Sequence, residues 1–345
     1  MRNRHRRLAF SWLDLLVALA VIAMLMAILL PSLLRARQVA MRAVCLSNLR
    51  SLAQASYAYA TDDQCELLLP IHRQMVRPTE HWYWKTVNAF AWGGRSAPEA
   101  FRLSASESVY LNNVAGQGRG TLGGAYAAST RPLNLYVYGD VAEDEPMDLK
   151  LYHCPEDRGY PAQSATDDSP PANAGRPCYD TLGNSYRGNM LGLYGKRGEA
   201  FAVGPWGHRG SAIENPMRTV LYADPLFIRA TTRDGEGRFP TGAFTGWHRR
   251  RGADNVTFCD GSARMTKIEQ LAQFDAATLK GMDVSRKNGE LLVRGRTFQM
   301  DMYPIPAARI WGKWEDLTDF GAYNRAQWPF AQLQDNLKVS DQDGR

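Results

Sequence analysis

The sequence predicts an α+β protein, with one long N-terminal helix packed on an antiparallel β-sheet. Two observations predict it. An apolar run from Phe10 to Leu34 passes directly into a stretch rich in Ala, Leu, Arg and Gln, with no Gly or Pro from residue 35 to 60. These are good helix formers, so one helix should run through both. Further along, short runs of β-branched and aromatic residues end at Asp-Pro or Asp-Gly, which are strand and hairpin signals.

The leader comes first. Arg2, Arg4, Arg6 and Arg7 precede the apolar run with His5 and no acid among them. Positive charge stays cytoplasmic, so the amino end should be inside and the rest exported. The run of 25 residues from Phe10 to Leu34 holds one charged group, Asp14. A bilayer core needs about 20 apolar residues, so the run is long enough to span one. It is too long for the apolar core of a cleaved secretory signal. A carboxylate inside a span is costly and marks a functional hypothesis by default. The plain alternative is an uncleaved signal anchor, with Asp14 reaching back to the headgroups.

Beyond the span, Met41, Cys45, Leu49, Leu52 and Tyr59 follow helical spacing and give one apolar stripe. Arg35, Arg37, Arg42 and Arg50 supply polar surface. Pro31 removes one backbone hydrogen bond and is a candidate kink. Residues 62–150 are mixed and aromatic-rich, with Trp82, Tyr83, Trp84, Phe90 and Trp92. Gly116 to Gly124 reads as a loop, and residues 155–183 as an extended excursion rich in Pro, Ser, Asp and Gly. Thr219–Ala223 reads as a strand ending at Asp224-Pro225. Val256 and Phe258 alternate with Thr257 and Cys259, and Asp260-Gly261 predicts a two-residue hairpin turn. Lys287-Asn288-Gly289-Glu290 predicts another hairpin.

Leu8-Ala9-Phe10-Ser11-Trp12-Leu13-Asp14-Leu15-Leu16 resembles the processing and methylation motif of type IV prepilins and type II secretion pseudopilins. The resemblance implies a cut between Ala9 and Phe10 by a prepilin peptidase, N-methylation of Phe10, and Asp14 as the fifth residue of the mature chain. Pro31 falls where many pilins carry proline. Ala9 stands where the family normally has Gly, and Asp14 where it has Glu. In such a fibre, Asp14 would pair with the freed amine of a neighbouring subunit's Phe10. A buried carboxylate is tolerable when so paired, and a non-closing head-to-tail contact builds a helical filament.

Later segments resemble a large bacterial subgroup of pilin-like proteins. Cys45-Leu46-Ser47-Asn48-Leu49 is similar to its C-x-N-L run, and Tyr59-Ala60-Thr61-Asp62 to its Y-A-x-D run closing the helix. His153-Cys154-Pro155-Glu156-Asp157 and Ser185-Tyr186-Arg187-Gly188-Asn189 resemble its central C-P-x-D and S-Y-x-x-N segments. His248, followed by Asn255-Val256-Thr257-Phe258-Cys259-Asp260-Gly261, resembles its closing H…N-V-x-F-x-D-G segment. The resemblance covers residues 8 to about 270 and implies a pilin-like fold.

Five cysteines fit an exported protein. Cys154 and Cys178 flank the Pro/Gly-rich excursion, and a bridge between them would close it; two unbridged thiols are the alternative. Cys45 lies on the helix stripe, where buried packing is expected. No spacing resembles a zinc site, and no metal or cofactor is expected. No G-x-S-x-G, H-E-x-x-H or P-loop is present, so no enzymatic role is expected. A catalytic reading would need His248, Asp224 and Asp260 to cluster in an open pocket. Net charge is +6, and loss of residues 1–9 with their four arginines would leave +2. Arg249-Arg250-Arg251 is short, and no nucleic-acid partner is expected. Trp311, Trp314, Phe320, Tyr323, Trp328 and Phe330 are expected to cover the sheet.

The expected organisation is a basic leader over 1–9, a transmembrane or filament-core helix over 10–34 and its amphipathic continuation over 35–61. An exported pilin-like domain over 62–282 and an aromatic-rich extension over 283–345 follow. The expected function is a pseudopilin-like subunit of a type II secretion or type IV pilus-like fibre. Its partners would be prepilin peptidase, other pseudopilins, an inner-membrane assembly platform and the lipid bilayer. It would cross the inner membrane once, with its carboxyl-terminal domain periplasmic. The alternative is an uncleaved single-pass protein with an exported binding domain, with glycans as one candidate ligand; a membrane-tethered periplasmic enzyme is the third reading.

Overall fold

A computed structural model describes residues 12–72, 88–96, 100–102, 108–110, 127–141, 148–159, 175–189, 192–194, 200–202, 204–206, 208–213, 215–231, 245–268 and 297–300. The expectations for Ala9, Phe10, Trp82, Trp84, the 116–124 loop, the 287–290 hairpin and the C-terminal aromatics lie outside these residues.

Helix α1 runs unbroken from Trp12 to Asp62, 51 residues and about 76 Å. Pro31 sits inside it without ending it. From residue 12 to 34 every side chain is exposed. This part is long and apolar enough to cross a membrane. In the outer half, Cys45, Asn48, Leu49, Leu52, Ala53 and Ser56 are buried. They stand at i, i+3, i+4, i+7, i+8 and i+11, one stripe of a 3.6-residue repeat. Each fully buried leucine there contributes about 1.5–3 kcal/mol.

The helix ends without glycine. Asp63 donates its backbone N–H to the Tyr59 carbonyl, and its carboxylate accepts from the Cys65 and Leu67 N–H groups at 3.1 Å each. The Tyr59 hydroxyl donates to the same carboxylate at 3.2 Å. The acid therefore turns the chain by capturing amides of the residues that follow the helix.

In chain order the remaining elements are α2 (Asn88–Ala91), β1 (Ala100–Arg102), β2 (Ser108–Tyr110), α3 (Asn134–Tyr138), α4 (Cys178–Leu182), β3 (Arg187–Gly188), β4 (Gly192–Tyr194), β5 (Ala200–Ala202), β6 (Val220–Ala223), α5 (Pro225–Thr231), β7 (Ala253–Phe258) and β8 (Ala263–Lys267). Strands β3-β6-β7-β8 form a four-stranded antiparallel sheet; β1-β2 and β4-β5 are separate antiparallel pairs. The outer half of α1 packs on β6, β7 and β8. Every residue of β6 and β7 is buried, as expected for strands covered on both faces. The α+β expectation holds at this level.

The β7–β8 hairpin differs from its expected two-residue turn. Phe258 donates to Ser262 and Gly261 to Phe258, so residues 259–262 form the loop. Gly261 takes φ +82. Asp260 accepts from the Ser262 N–H and hydroxyl at 2.9 and 2.6 Å. One positive φ suffices in this longer loop, and the Asp side chain replaces the second special residue.

The candidate Cys154–Cys178 bridge is not formed, and the two cysteines are not both thiols. Cys154 is bonded to Cys45 on α1, with Cα atoms 5.3 Å apart and a sequence separation of 109. The reason lies in what holds each cysteine. Asn48, one turn after Cys45, donates to the Lys150 and His153 carbonyls at 3.4 and 3.1 Å. That docks residues 150–154 on α1. Cys178 instead opens α4, where its N–H is held by Asp157 at 3.0 Å, and it remains a thiol. A bridge closing a loop of this length contributes about 4–5 kcal/mol in the chain-entropy account.

A second polar knot holds α2 and α4 together. Arg131 is buried and donates to the carbonyls of Gly93 and Leu182 at 2.9 and 3.0 Å. Burial lowers its pKa to about 10, so it remains a cation at neutral pH. Gly94, at φ +108, lies against Gly183 so closely that a Cβ would come 2.2 Å from the Gly183 oxygen. Gly94→Ala should therefore cost more than about 3 kcal/mol. Gly252→Ala, at φ +63 with nothing within 4 Å, should cost about 1 kcal/mol. Thermal unfolding of the full chain in detergent checks the ranking; equal losses would contradict it.

Candidate functional site

Motif segments far apart in sequence meet where the outer half of α1 docks on the sheet. Cys45 and Asn48 come from α1, Cys154 and Asp157 from the turn after residue 152, Ser185 and Tyr186 from the approach to β3, and Asn255 from β7. His248 lies in the turn before β7. All eight are buried.

Their bonds interlock. Besides its two carbonyl contacts, the Asn48 amide reaches the Tyr186 hydroxyl at 3.4 Å. The Ser185 hydroxyl donates to Asp157 at 2.7 Å and accepts from the Cys154 N–H at 3.0 Å. Asp157 also accepts from the N–H groups of Gly159, Cys178 and Tyr179 at 2.9, 3.0 and 2.9 Å. Burial pushes its pKa up to about 6, and these four hydrogen bonds pull against that. The carboxylate is thus ionised at neutral pH and anchors the start of α4. Asn255 donates its side-chain amide to the Arg42 carbonyl of α1 at 3.3 Å.

His248 occupies the centre. Its Nε2 lies 3.4 Å from both Cys154 Sγ and the Asn255 amide. Its Nδ1 donates to Asp254 in a short contact, and Asp224 Oδ2 lies 3.2 Å away. One ring N–H cannot serve both carboxylates, so Asp254 takes the hydrogen bond and Asp224 acts through its proximity. Both Asp224 oxygens otherwise lack a hydrogen-bond partner. Burial and the adjacent Asp254 push Asp224 well above the usual carboxylate range, and the neighbouring His248 pulls against that. Burial opposes charge on His248, but Asp224 and Asp254 outweigh it and raise the imidazole to about 10. Gly246 makes the approach possible, since a Cβ there would stand 1.8 Å from Asp254 Oδ2.

Among the described residues, two sets of ligand-type atoms lie within 4.8 Å of one another: Asp224, His248 and Asp254, and Cys45, Cys154 and His248. In the first, Nδ1 is committed to Asp254; in the second, the two sulfurs are committed to each other. The arrangement as built is a sealed charge-and-disulfide junction. The open pocket of His248, Asp224 and Asp260 required by a catalytic reading is not what forms. His248 and Asp224 do meet, but their side chains are 1% and 0% exposed, and Asp260 is engaged in the β7–β8 loop. Asp254 completes the cluster. It immediately precedes the Asn255 motif, and its signal was a carboxylate at an inward strand position.

The assembly residues lie elsewhere. Asp14 sits in the first turn of α1 and Pro31 seventeen residues farther along it, both exposed on the apolar half. Gly261 and Asp260 close the β7–β8 loop against Tyr57 of α1, whose hydroxyl donates to the Cys259 carbonyl. No protein-family model, curated protein or solved structure matches this chain.

The His248 cluster sets a pH dependence. The folded state holds the imidazole proton to about pH 10, whereas the unfolded chain releases it near 6.5. Its stabilisation is therefore complete below pH 6.5 and is lost as pH rises through 10. Asp224, also raised, works in the same direction. The Tm of the full chain should fall between pH 6.5 and 10, and His248→Gln should lower Tm and flatten that slope. An unchanged slope in the variant would contradict the assignment.

Proposed function

We propose that this chain is a pseudopilin-like subunit of a type II secretion or type IV pilus-like fibre, assembled through α1. The observation that carries the proposal is the division of α1 into two halves. Residues 12–34 are apolar and entirely exposed, while Cys45 to Ser56 are locked into a folded domain. An apolar rod about 34 Å long needs lipid or like helices around it. A rigid continuation into the domain passes any position taken by the rod on to the domain. Asp14 then becomes the group that fixes the position, pairing with a neighbour's amine after cleavage between Ala9 and Phe10. Partial burial makes such a pair selective, because an unpaired carboxylate there is costly.

N-terminal sequencing and intact mass of the membrane-extracted chain test the processing step. The proposal expects a chain beginning at N-methylated Phe10. A chain beginning at Met1 would favour the uncleaved anchor. Asp14→Ala tests assembly: insertion in the membrane should persist, while co-purification with other pseudopilins should fall by about ten-fold or more. Undiminished co-purification would remove the pairing role.

A further inference from the structure

A cavity of about 310 Å³ opens between α1 and the loop that follows Cys154. Its α1 wall is Leu34, Arg37, Gln38 and Met41, one face of the helix at i, i+3, i+4 and i+7. The opposite wall brings Arg158 and Arg249. Three guanidinium groups thus border one small opening.

Its height along α1 is informative. The exposed apolar stretch ends at Leu34, and Arg37 stands about 4.5 Å beyond it along the axis. Headgroup layers extend roughly 5–7 Å beyond the hydrocarbon on each side. The arginines therefore sit at headgroup level if α1 spans a bilayer. Below the opening, Leu30 and Leu33 remain exposed along the helix, a surface on which acyl chains can lie.

The charges support an anion. From residue 15 to 61 the chain has no acid at all. Among the described residues, neither Arg37 nor Arg249 makes an ion pair. Glu156 and Asp157 also border the cavity, but each is already engaged. Glu156 pairs with Arg158 at 3.2 Å, and Asp157 is held by its four inward donors. Arg249 is one of two non-glycine residues with positive φ among those described, at +54. Its N–H is held by the Gly246 carbonyl at 3.0 Å, so the His248 junction presents this arginine in a conformation most residues avoid.

We propose that this cavity binds the phosphate of an anionic glycerophospholipid at the membrane surface, between Arg37 and Arg249, with Arg158 held beside them by Glu156. Guanidinium groups match phosphate oxygens with paired, charge-assisted hydrogen bonds. The bound lipid would fix the depth and rotation of the domain against the membrane. This rests on α1 crossing a bilayer; it does not depend on which leaflet the domain faces or on cleavage at Ala9.

Native mass spectrometry of the full chain in detergent, titrated with phosphatidylglycerol or phosphatidylcholine, tests it. The wild type should retain phosphatidylglycerol in preference to phosphatidylcholine. Arg37→Gln with Arg249→Gln should weaken that retention about ten-fold or more, whereas Arg50→Gln, farther along α1, should not. Only protein with the Cys45–Cys154 bridge intact, judged by non-reducing peptide mapping, is compared, which separates misfolding from lost binding. Equal retention of the two lipids, or unchanged retention in the double variant, would overturn the proposal. Displacement of the lipid by excess inorganic phosphate would overturn it in favour of a free-anion site. Alkaline carbonate extraction reads the span separately: release of the chain would refute the span, whatever the lipid titration shows.

Discussion

One unbroken helix has to satisfy two surroundings, and the rest of the chain is arranged around that constraint. Residues 12–34 of α1 are exposed throughout, while from Cys45 to Ser56 one stripe of the helix is buried under the sheet. The change comes within about ten residues, which is three turns. Over those turns the sequence switches from an all-round apolar surface to a single buried stripe flanked by arginines. The Cys45–Cys154 bridge lies where the buried stripe begins. It ties the rod covalently to the domain, so movement of one is movement of the other.

Much of what surrounds the bridge is irregular backbone, and irregular backbone can be buried only if its polar groups find partners. Asn48, Asp157, Ser185 and Asn255 supply those partners. Each bond alone is worth about 1 kcal/mol, but leaving a buried group unmatched costs more. The network is therefore cooperative in its failure: removing one member strands several others. His248 adds charge to this frame. With Asp254 accepting its Nδ1–H hydrogen bond and Asp224 3.2 Å away, a cation can remain in a place that excludes water.

The long helix was legible because it rests on local properties: an apolar run, helix formers, and a stripe at Cys45, Leu49 and Leu52. The β6 strand and the β7–β8 hairpin were legible for the same reason, although the Asp260-Gly261 loop is wider than the two-residue turn its sequence suggests. The cysteine pairing was not legible. It depends on Asn48 docking residues 150–154 on α1, an interaction across more than a hundred residues that leaves no periodic trace. Asp224 and His248 were visible as candidates, but Asp254 was hidden as one more polar residue beside a motif. The meeting of the motif segments at one junction gives a physical reason for their composition: Cys, Asn, Asp, Ser and His are there to bond one another.

The central claim is that the outer half of α1 is locked to the domain at this junction, and the bridge is its most direct chemical mark. Non-reducing tryptic peptide mapping of the membrane-extracted chain reads it. The account predicts that the peptide Ala43–Arg50 is joined to Leu151–Arg158 through Cys45 and Cys154, with Cys178 alkylated as a thiol. Recovery of Cys154 joined to Cys178, with Cys45 as a thiol, would contradict it.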